Sequence, residues 1–214
     1  MPAPAHPKIY HIVHVDKLAS IVADGCLFSD AEVRARQRGG TTVGMSDIKE
    51  RRLKNLKLSS HPDLYIGQCV PFYFCPRSVM LYLLHKGNHP GITYKGGQGP
   101  IVHLECDLHE SVEWAGENDV RWAFTLSNAG AYYFEDCCDL DDLNQIQWDA
   151  VAAYQWAGQY KEGKQAEFLM ETYFPWHLVR RIGVHSAEVA QKVAQAMGRD
   201  PHRPIVELRQ GWYY

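Results

Sequence analysis

The chain has no excess of basic charge: 22 Lys and Arg stand against 25 Asp and Glu, a formal net charge of −3. A long non-specific grip on a nucleic-acid backbone needs many cations and is excluded, although a short basic groove is not. The six cysteines, Cys26, Cys69, Cys75, Cys106, Cys137 and Cys138, form no C-x-x-C pair. The adjacent Cys137 and Cys138 cannot both join one ordinary metal site or close an easy disulfide. Buried or indifferent thiols of a reducing compartment are therefore expected. No apolar run reaches the ~18 residues of a membrane span, and no basic-then-apolar segment opens the chain. We expect a soluble, cytoplasmic protein with no membrane partner. No Gly-x-Gly-x-x-Gly follows a predicted strand, so a doubly wound dinucleotide site is unsupported. Repeats and low-complexity tracts are also missing.

What is present is a chain of 214 residues, 46% hydrophobic and 22% charged, enough for one domain with a sizeable core over 1–214. Alternation predicts a first strand at Ile9–His14. Asp16 is expected to cap a helix over Lys17–Ala23, which Asp24-Gly25 ends. Cys26–Phe28 reads as a short extended piece. Ala31–Lys57 is polar, broken at Gly39-Gly40, with Ser46 or Asp47 capping a helix through Leu53. Val70–Phe74 is an apolar strand, and Pro76 opens a helix through His85. Pro100–Cys106, Val179–Val184 and Ile205–Leu208 read as strands, and Glu188–Met197 as a helix. Trp122–Phe134 reads as extended, with a turn at Asn128-Ala129-Gly130. Many short strands with few helices indicate an α+β fold.

Five features carry possible chemistry. His11 lies in the first strand, three residues from His14, so the two face opposite sides and cannot share a metal. It is either structural or a grip on a planar, amide-bearing ligand. The segment from Arg34 to Lys57 is either a solvated helix face or a mobile cover for an anionic ligand, in which a guanidinium of Arg51 or Arg52 can fork onto a diphosphate. In Pro71–Met80, Phe72 and Phe74 share the core face and Tyr73 points the other way. Arg77, placed in a first helical turn, opposes the helix dipole and so indicates an anionic contact. Trp148, Tyr154, Trp156 and Tyr160, with Lys161 and Lys164, either stack on single-stranded bases, at about 1–3 kcal/mol each, or pack among themselves. Glu167 sits where this loop enters the apolar strand Phe168–Phe174. A carboxylate held there can stabilise an oxocarbenium-like state or take a proton from a nitrogen nucleophile.

Taken together, Ile9–Asp16, Ile48-Lys49-Glu50-Arg51-Arg52, Val70–Ser78 and Lys164–Leu169 resemble the DarT family, the DNA ADP-ribosyltransferase toxins of bacterial toxin–antitoxin systems. The resemblance runs from about Ile9 to the end of the chain, and its most specific run is Phe72-Tyr73-Phe74-Cys75-Pro76-Arg77-Ser78. It implies a poly(ADP-ribose)-polymerase-like fold with a central split β-sheet and an NAD cleft. It also implies NAD⁺ as co-substrate, single-stranded DNA as acceptor, no metal, and a macrodomain antitoxin as partner. By the same resemblance His11, with Ile12 and Val13, holds the nicotinamide end. Ser20 and Leu27 line the cleft, residues 33–53 cover the NAD, and Tyr73 lies beside the nicotinamide ribose. Arg52 is the catalytic arginine, with Arg51 the one-residue alternative, and Glu167 is the catalytic glutamate. Residues 128–167 form the substrate-recognition loop, with Arg77, Met80, Asn128, Tyr154, Trp156 and Lys164 on the DNA. Two departures bear on the acceptor. Asn128 stands where many thymidine-modifying members have histidine, and the 148–160 loop lacks a basic stretch. The acceptor is therefore thymidine or guanosine. Transfer to RNA or protein, and a non-catalytic single-strand binder, are the competing readings.

Overall fold

The computed structural model describes residues 1–214. The chain runs through β1 (Lys8–His14), α1 (Leu18–Asp24), β2 (Cys26–Phe28), α2 (Asp30–Ala35), α3 (Ser46–Lys54), β3 (Cys69–Tyr73) and α4 (Val79–Lys86). It continues through β4 (Ile101–Asp107), α5 (Leu108–Glu117), β5 (Trp122–Thr125), β6 (Asp136–Cys137) and α6 (Trp148–Ala152). The last elements are β7 (Glu167–Glu171), β8 (Tyr173–Pro175), β9 (Val179–Val184), α7 (Ala187–Met197) and β10 (Ile205–Leu208). Eight strands form one sheet in the order β10-β9-β4-β1-β3-β7-β5-β6, and β2 pairs with β8 apart from it. Only β9 and β10 run parallel, so the sheet is mixed. The α+β expectation holds. No helix is long and apolar enough to cross a membrane.

The sheet opens in its middle. β1 and β4 are in register from Lys8 opposite Asp107 to His14 opposite Ile101. β3 and β7 pair from Cys69–Glu171 to Tyr73–Glu167. Between these two halves β1 and β3 meet at a single pair, Tyr10 and Tyr73. Backbone groups freed by the parting need other partners, and the His11 ring supplies one by binding the Pro71 carbonyl across the gap.

Apolar side chains from both halves close the core beneath this opening. Phe72, Phe124, Phe168 and Phe174 are fully buried, and the Phe72 and Phe174 rings lie 4.4 Å apart. β4 is buried on both faces from Ile101 to Cys106, with His103 and Glu105 set among its apolar residues. Its buried carboxylate, Glu105, is paired with Arg181 of β9, and Asp107 at its end with Lys8 of β1. α7 lays Val189, Val193 and Met197 on the core at helical spacing.

Several local expectations are corrected. Asp16 caps no helix: its carboxylate accepts from Thr41 N and Oγ1, and a 3-10 turn at Val15–Lys17 leads into α1. α3 has Met45 at its N-cap, with no side-chain cap from Ser46 or Asp47. α4 starts at Val79, because Ser78 Oγ accepts from Leu81 N at 3.2 Å. Arg77 is therefore outside the helix and opposes no dipole. The segment expected as extended over Trp122–Phe134 keeps its strand only to Thr125. Three helices, α2, α5 and α6, had no counterpart in the expectation. α5 does carry a start signal, since Asp107 Oδ1 accepts from Glu110 N at 3.1 Å.

Candidate active site

Glu167 is the first residue of β7 and only 4% exposed. Its backbone N–H donates to Thr125 Oγ1 at 3.1 Å, and that hydroxyl donates to Ser127 O at 2.7 Å. The strand end is thus fixed from the neighbouring β5. Arg52 reaches the carboxylate from α3 with both terminal nitrogens, Nη1 to Oε1 at 3.3 Å and Nη2 to Oε2 at 3.0 Å. This fork sets the orientation of both groups as well as joining their charges. Burial acts to lower the Arg52 pKa, but the adjacent Glu167 carboxylate outweighs it and raises the value. Arg51 turns elsewhere, with its guanidinium 4.8 Å from the Tyr132 ring centre. Of the two arginines, Arg52 is the one that meets Glu167.

Tyr73 lies opposite Glu167 in the β3–β7 register. Burial, then the Glu167 carboxylate, pushes its phenol pKa up, so it stays a neutral donor. Across the parting, His11 Nδ1 is 2.8 Å from Pro71 O. A carbonyl only accepts, so the proton sits on Nδ1 and Nε2 is left as an acceptor. Burial holds the His11 pKa down at about 4, so the ring is uncharged at neutral pH.

These groups line one cleft of about 270 Å³. His11, Ile12, Val13, Ser20 and Leu27 line it, together with Tyr73, Met80, Asn128 and Glu167. The segment between α2 and α3 lines the cleft and is tied down by Arg38 to Asp24 and Thr41 to Asp16, while Lys49 of α3 pairs with Asp30 of α2. Lys17, Arg38, Lys49 and Arg52 bring cationic heads to the lining, alongside Asp24, Asp30 and Glu167. Burial, then the nearby Lys49, lowers the Lys17 pKa. The cleft therefore combines cations for a diphosphate, an apolar wall for a planar ring, and a carboxylate–guanidinium fork at one point. That donor set fits NAD⁺. No group of three or more His, Cys, Asp or Glu side chains could hold a metal ion.

The residues expected on DNA divide into three groups. Met80 and Asn128 join the cleft. Arg77, Tyr154 and Trp156 gather outside it around a residue the sequence reading missed, Tyr214. The Arg77 guanidinium lies 4.3 Å from the Tyr214 ring centre and 4.8 Å from that of Tyr154. The Tyr214 hydroxyl donates to Arg77 O at 2.9 Å and accepts from Trp156 Nε1 at 3.0 Å. Nothing local in the sequence marks this role, because these partners come from two distant segments. Lys164 is a correction. It is buried, and its ammonium donates to Val151 O at 2.6 Å and Ala153 O at 2.8 Å. It anchors the loop and has no exposed charge for a phosphate. Trp148 is likewise core, with its Nε1–H on Leu143 O at 2.8 Å.

Comparison with known proteins follows the same lines. Residues 10–214 match the family model described as "ssDNA thymidine ADP-ribosyltransferase, DarT". A "DNA ADP-ribosyl transferase" of Thermus sp. (strain 2.9) is 36% identical, over 99% of this chain and 98% of its own length. The solved structure of Thermus sp. 2.9 DarT in complex with ADP-ribosylated ssDNA superposes with a TM-score of 0.89 at 32% identity, covering 100% of this chain and 99% of that one. The same protein in complex with NAD⁺ gives 0.83 at 33% identity, covering 99% of this chain and 100% of that one.

Proposed function

The chain belongs to the DarT family of single-stranded-DNA ADP-ribosyltransferases, and on that premise we propose that it transfers ADP-ribose from NAD⁺ to a thymidine base in a short single-stranded DNA motif. The observation that carries this reading is the buried Arg52–Glu167 fork, set in a cleft lined by cations and carboxylates with a neutral His11. A non-catalytic binder has no use for a desolvated carboxylate and guanidinium at the floor of its groove.

The residues take the following roles. Lys17, Arg38 and Lys49 face the diphosphate, and His11 with the backbone of Ile12 and Val13 receives the nicotinamide amide. Tyr73 packs by the nicotinamide ribose. The bond from C1 of that ribose to the nicotinamide nitrogen breaks, and nicotinamide leaves with the electron pair. A base nitrogen forms the new bond to the same carbon. Glu167 stabilises the oxocarbenium-like charge and takes the proton that the base nitrogen sheds. Arg52 holds that carboxylate aimed through the fork, and assists charge developing on the base. Arg77, Met80 and Asn128 place the target nucleotide, while Tyr154 and Trp156 offer faces to its neighbours.

Family membership also supports a toxin acting in the cytoplasm, restrained by a macrodomain antitoxin that removes the mark. Incubation of a modified strand with such a macrodomain should restore the unmodified base. The reaction class is tested by supplying NAD⁺ with single-stranded DNA, RNA or a peptide mixture and following nicotinamide release. Release dependent on single-stranded DNA alone is expected. Equal or greater release with RNA or peptide would move the acceptor to that polymer.

A further inference from the structure

Two aromatic rings near the cleft stand largely in solvent. Tyr132 is 71% exposed and Tyr133 is 94% exposed, although both are large and partly apolar. The loop that carries them is fixed at both ends. At its start, Asn128 Oδ1 accepts from Gly130 N at 2.8 Å. At its end, Phe134 packs on a small buried cluster, and the Asp136 carboxylate accepts from Ser59 N at 2.7 Å and Ser60 N at 2.9 Å. A loop pinned in this way presents its rings without paying ordering entropy on binding.

The surroundings are cationic on two sides. Arg51 stacks on Tyr132, and its Nε is buried without a partner. Lys57, Tyr132 and Tyr133 line one groove, with Glu135 the one carboxylate among its lining residues and the Lys57 ammonium 4.7 Å from the Tyr65 ring centre. The loop is also continuous with the active cleft, since Asn128 and Ile48 line that cleft. A Cβ added to Gly130 would lie 3.0 Å from Ile48 Cγ2.

We propose that Tyr132 and Tyr133, with Arg51 and Lys57, form a second nucleotide subsite that stacks a base flanking the modified one. The π faces take the base and the two cations take its phosphate, a combination suited to single strands. This rests on the reading that single-stranded DNA is the acceptor. The subsite extends the contacted length of strand beyond the nucleotide in the cleft.

The test compares the wild-type enzyme with Tyr133→Ala, Tyr132→Ala and Tyr133→Phe, using NAD⁺ and strands of one modified sequence shortened stepwise from each end. On the longest strand, Tyr133→Ala should raise the DNA KM about tenfold, the scale of one lost base stack, with the effect on KM exceeding that on kcat. Tyr133→Phe keeps the ring and should stay within about twofold of wild type. On the shortest strand still modified, the difference between Tyr133→Ala and wild type should vanish. If both alanine variants match wild type at every strand length, the subsite is wrong while the acceptor stands. If the wild-type enzyme modifies no DNA, the acceptor reading falls and the subsite falls with it.

Discussion

The floor of the cleft and its rim are built on opposite principles. On the floor, Glu167, Arg52, Tyr73 and His11 are held by strand register, by one fork and by one ring-to-carbonyl bond, with Glu167 itself buried. At the rim, Arg77, Tyr154, Tyr132 and Tyr133 are aromatic and cationic groups that stack on each other or stand in solvent. A buried polar arrangement tolerates few alternatives, because each unpaired group is costly. Stacking contacts are exchangeable, since every base has a π face. The floor should therefore fix the reaction, and the rim should set which strand is used.

The sharpest way to break this division is Glu167→Gln. It keeps the shape and removes the charge, and labelling should fall about 10³-fold, as for loss of a preorganised electrostatic contact. Calorimetric NAD⁺ affinity should change far less. Arg52→Lys keeps a cation but loses the fork, and kcat should fall about 10²-fold in the same assay. An unchanged kcat would detach Arg52 from the chemistry.

Acid should separate the buried frame from the rim. Burial depresses both His11 and His103 to about 4 in the folded state, whereas the unfolded chain protonates near 6.5. The unfolded state thus binds more protons between these values. Stability from this source is complete above about pH 6.5 and is lost as pH falls to about 4, at about 1.4 kcal/mol per pKa unit for each histidine. Melting temperature against pH should show this slope, and saturating NAD⁺ should raise the whole curve. Lys164→Met leaves the Val151 and Ala153 carbonyls without their donor and should cost about 2 kcal/mol of stability, read by denaturant unfolding. The salt dependence of DNA binding should not change, because Lys164 offers no charge to a phosphate. The smallest effect is expected for Tyr214→Phe. It removes the hydroxyl that joins Arg77 and Trp156 and should raise the DNA KM about fivefold, the scale of one hydrogen bond, with the NAD⁺ KM unmoved.

The same contrast explains what could be read from the sequence. The alternation of Ile9–His14 and the apolar runs around Phe72 and Phe168 specify strands locally, so the floor residues could be named with their faces. Glu167 was legible because it enters such a run. Arg52 was separable from Arg51 only in three dimensions, where one guanidinium faces Glu167 and the other Tyr132. The rim was misjudged because exposure is a tertiary property. Trp148 and Lys164 look like surface groups in an aromatic, charged loop, yet both are buried against backbone carbonyls. Tyr214 and the Tyr132-Tyr133 pair carried no local pattern at all. The assignment of Arg77 to a helical first turn failed because Ser78, not Pro76, takes the cap.

The central claim is that this cleft joins ADP-ribose to a base of single-stranded DNA. The direct measurement is incubation with NAD⁺ and a randomised single-stranded DNA pool, followed by mass spectrometry of the digested nucleosides. An ADP-ribosyl adduct on thymidine, absent with Glu167→Gln, is the predicted result and would place Asn128 in a role that histidine fills elsewhere. An adduct on guanosine would keep the enzyme class and contradict the thymidine assignment. Unmodified nucleosides with NAD⁺ intact, or an adduct undiminished by Glu167→Gln, would contradict the account.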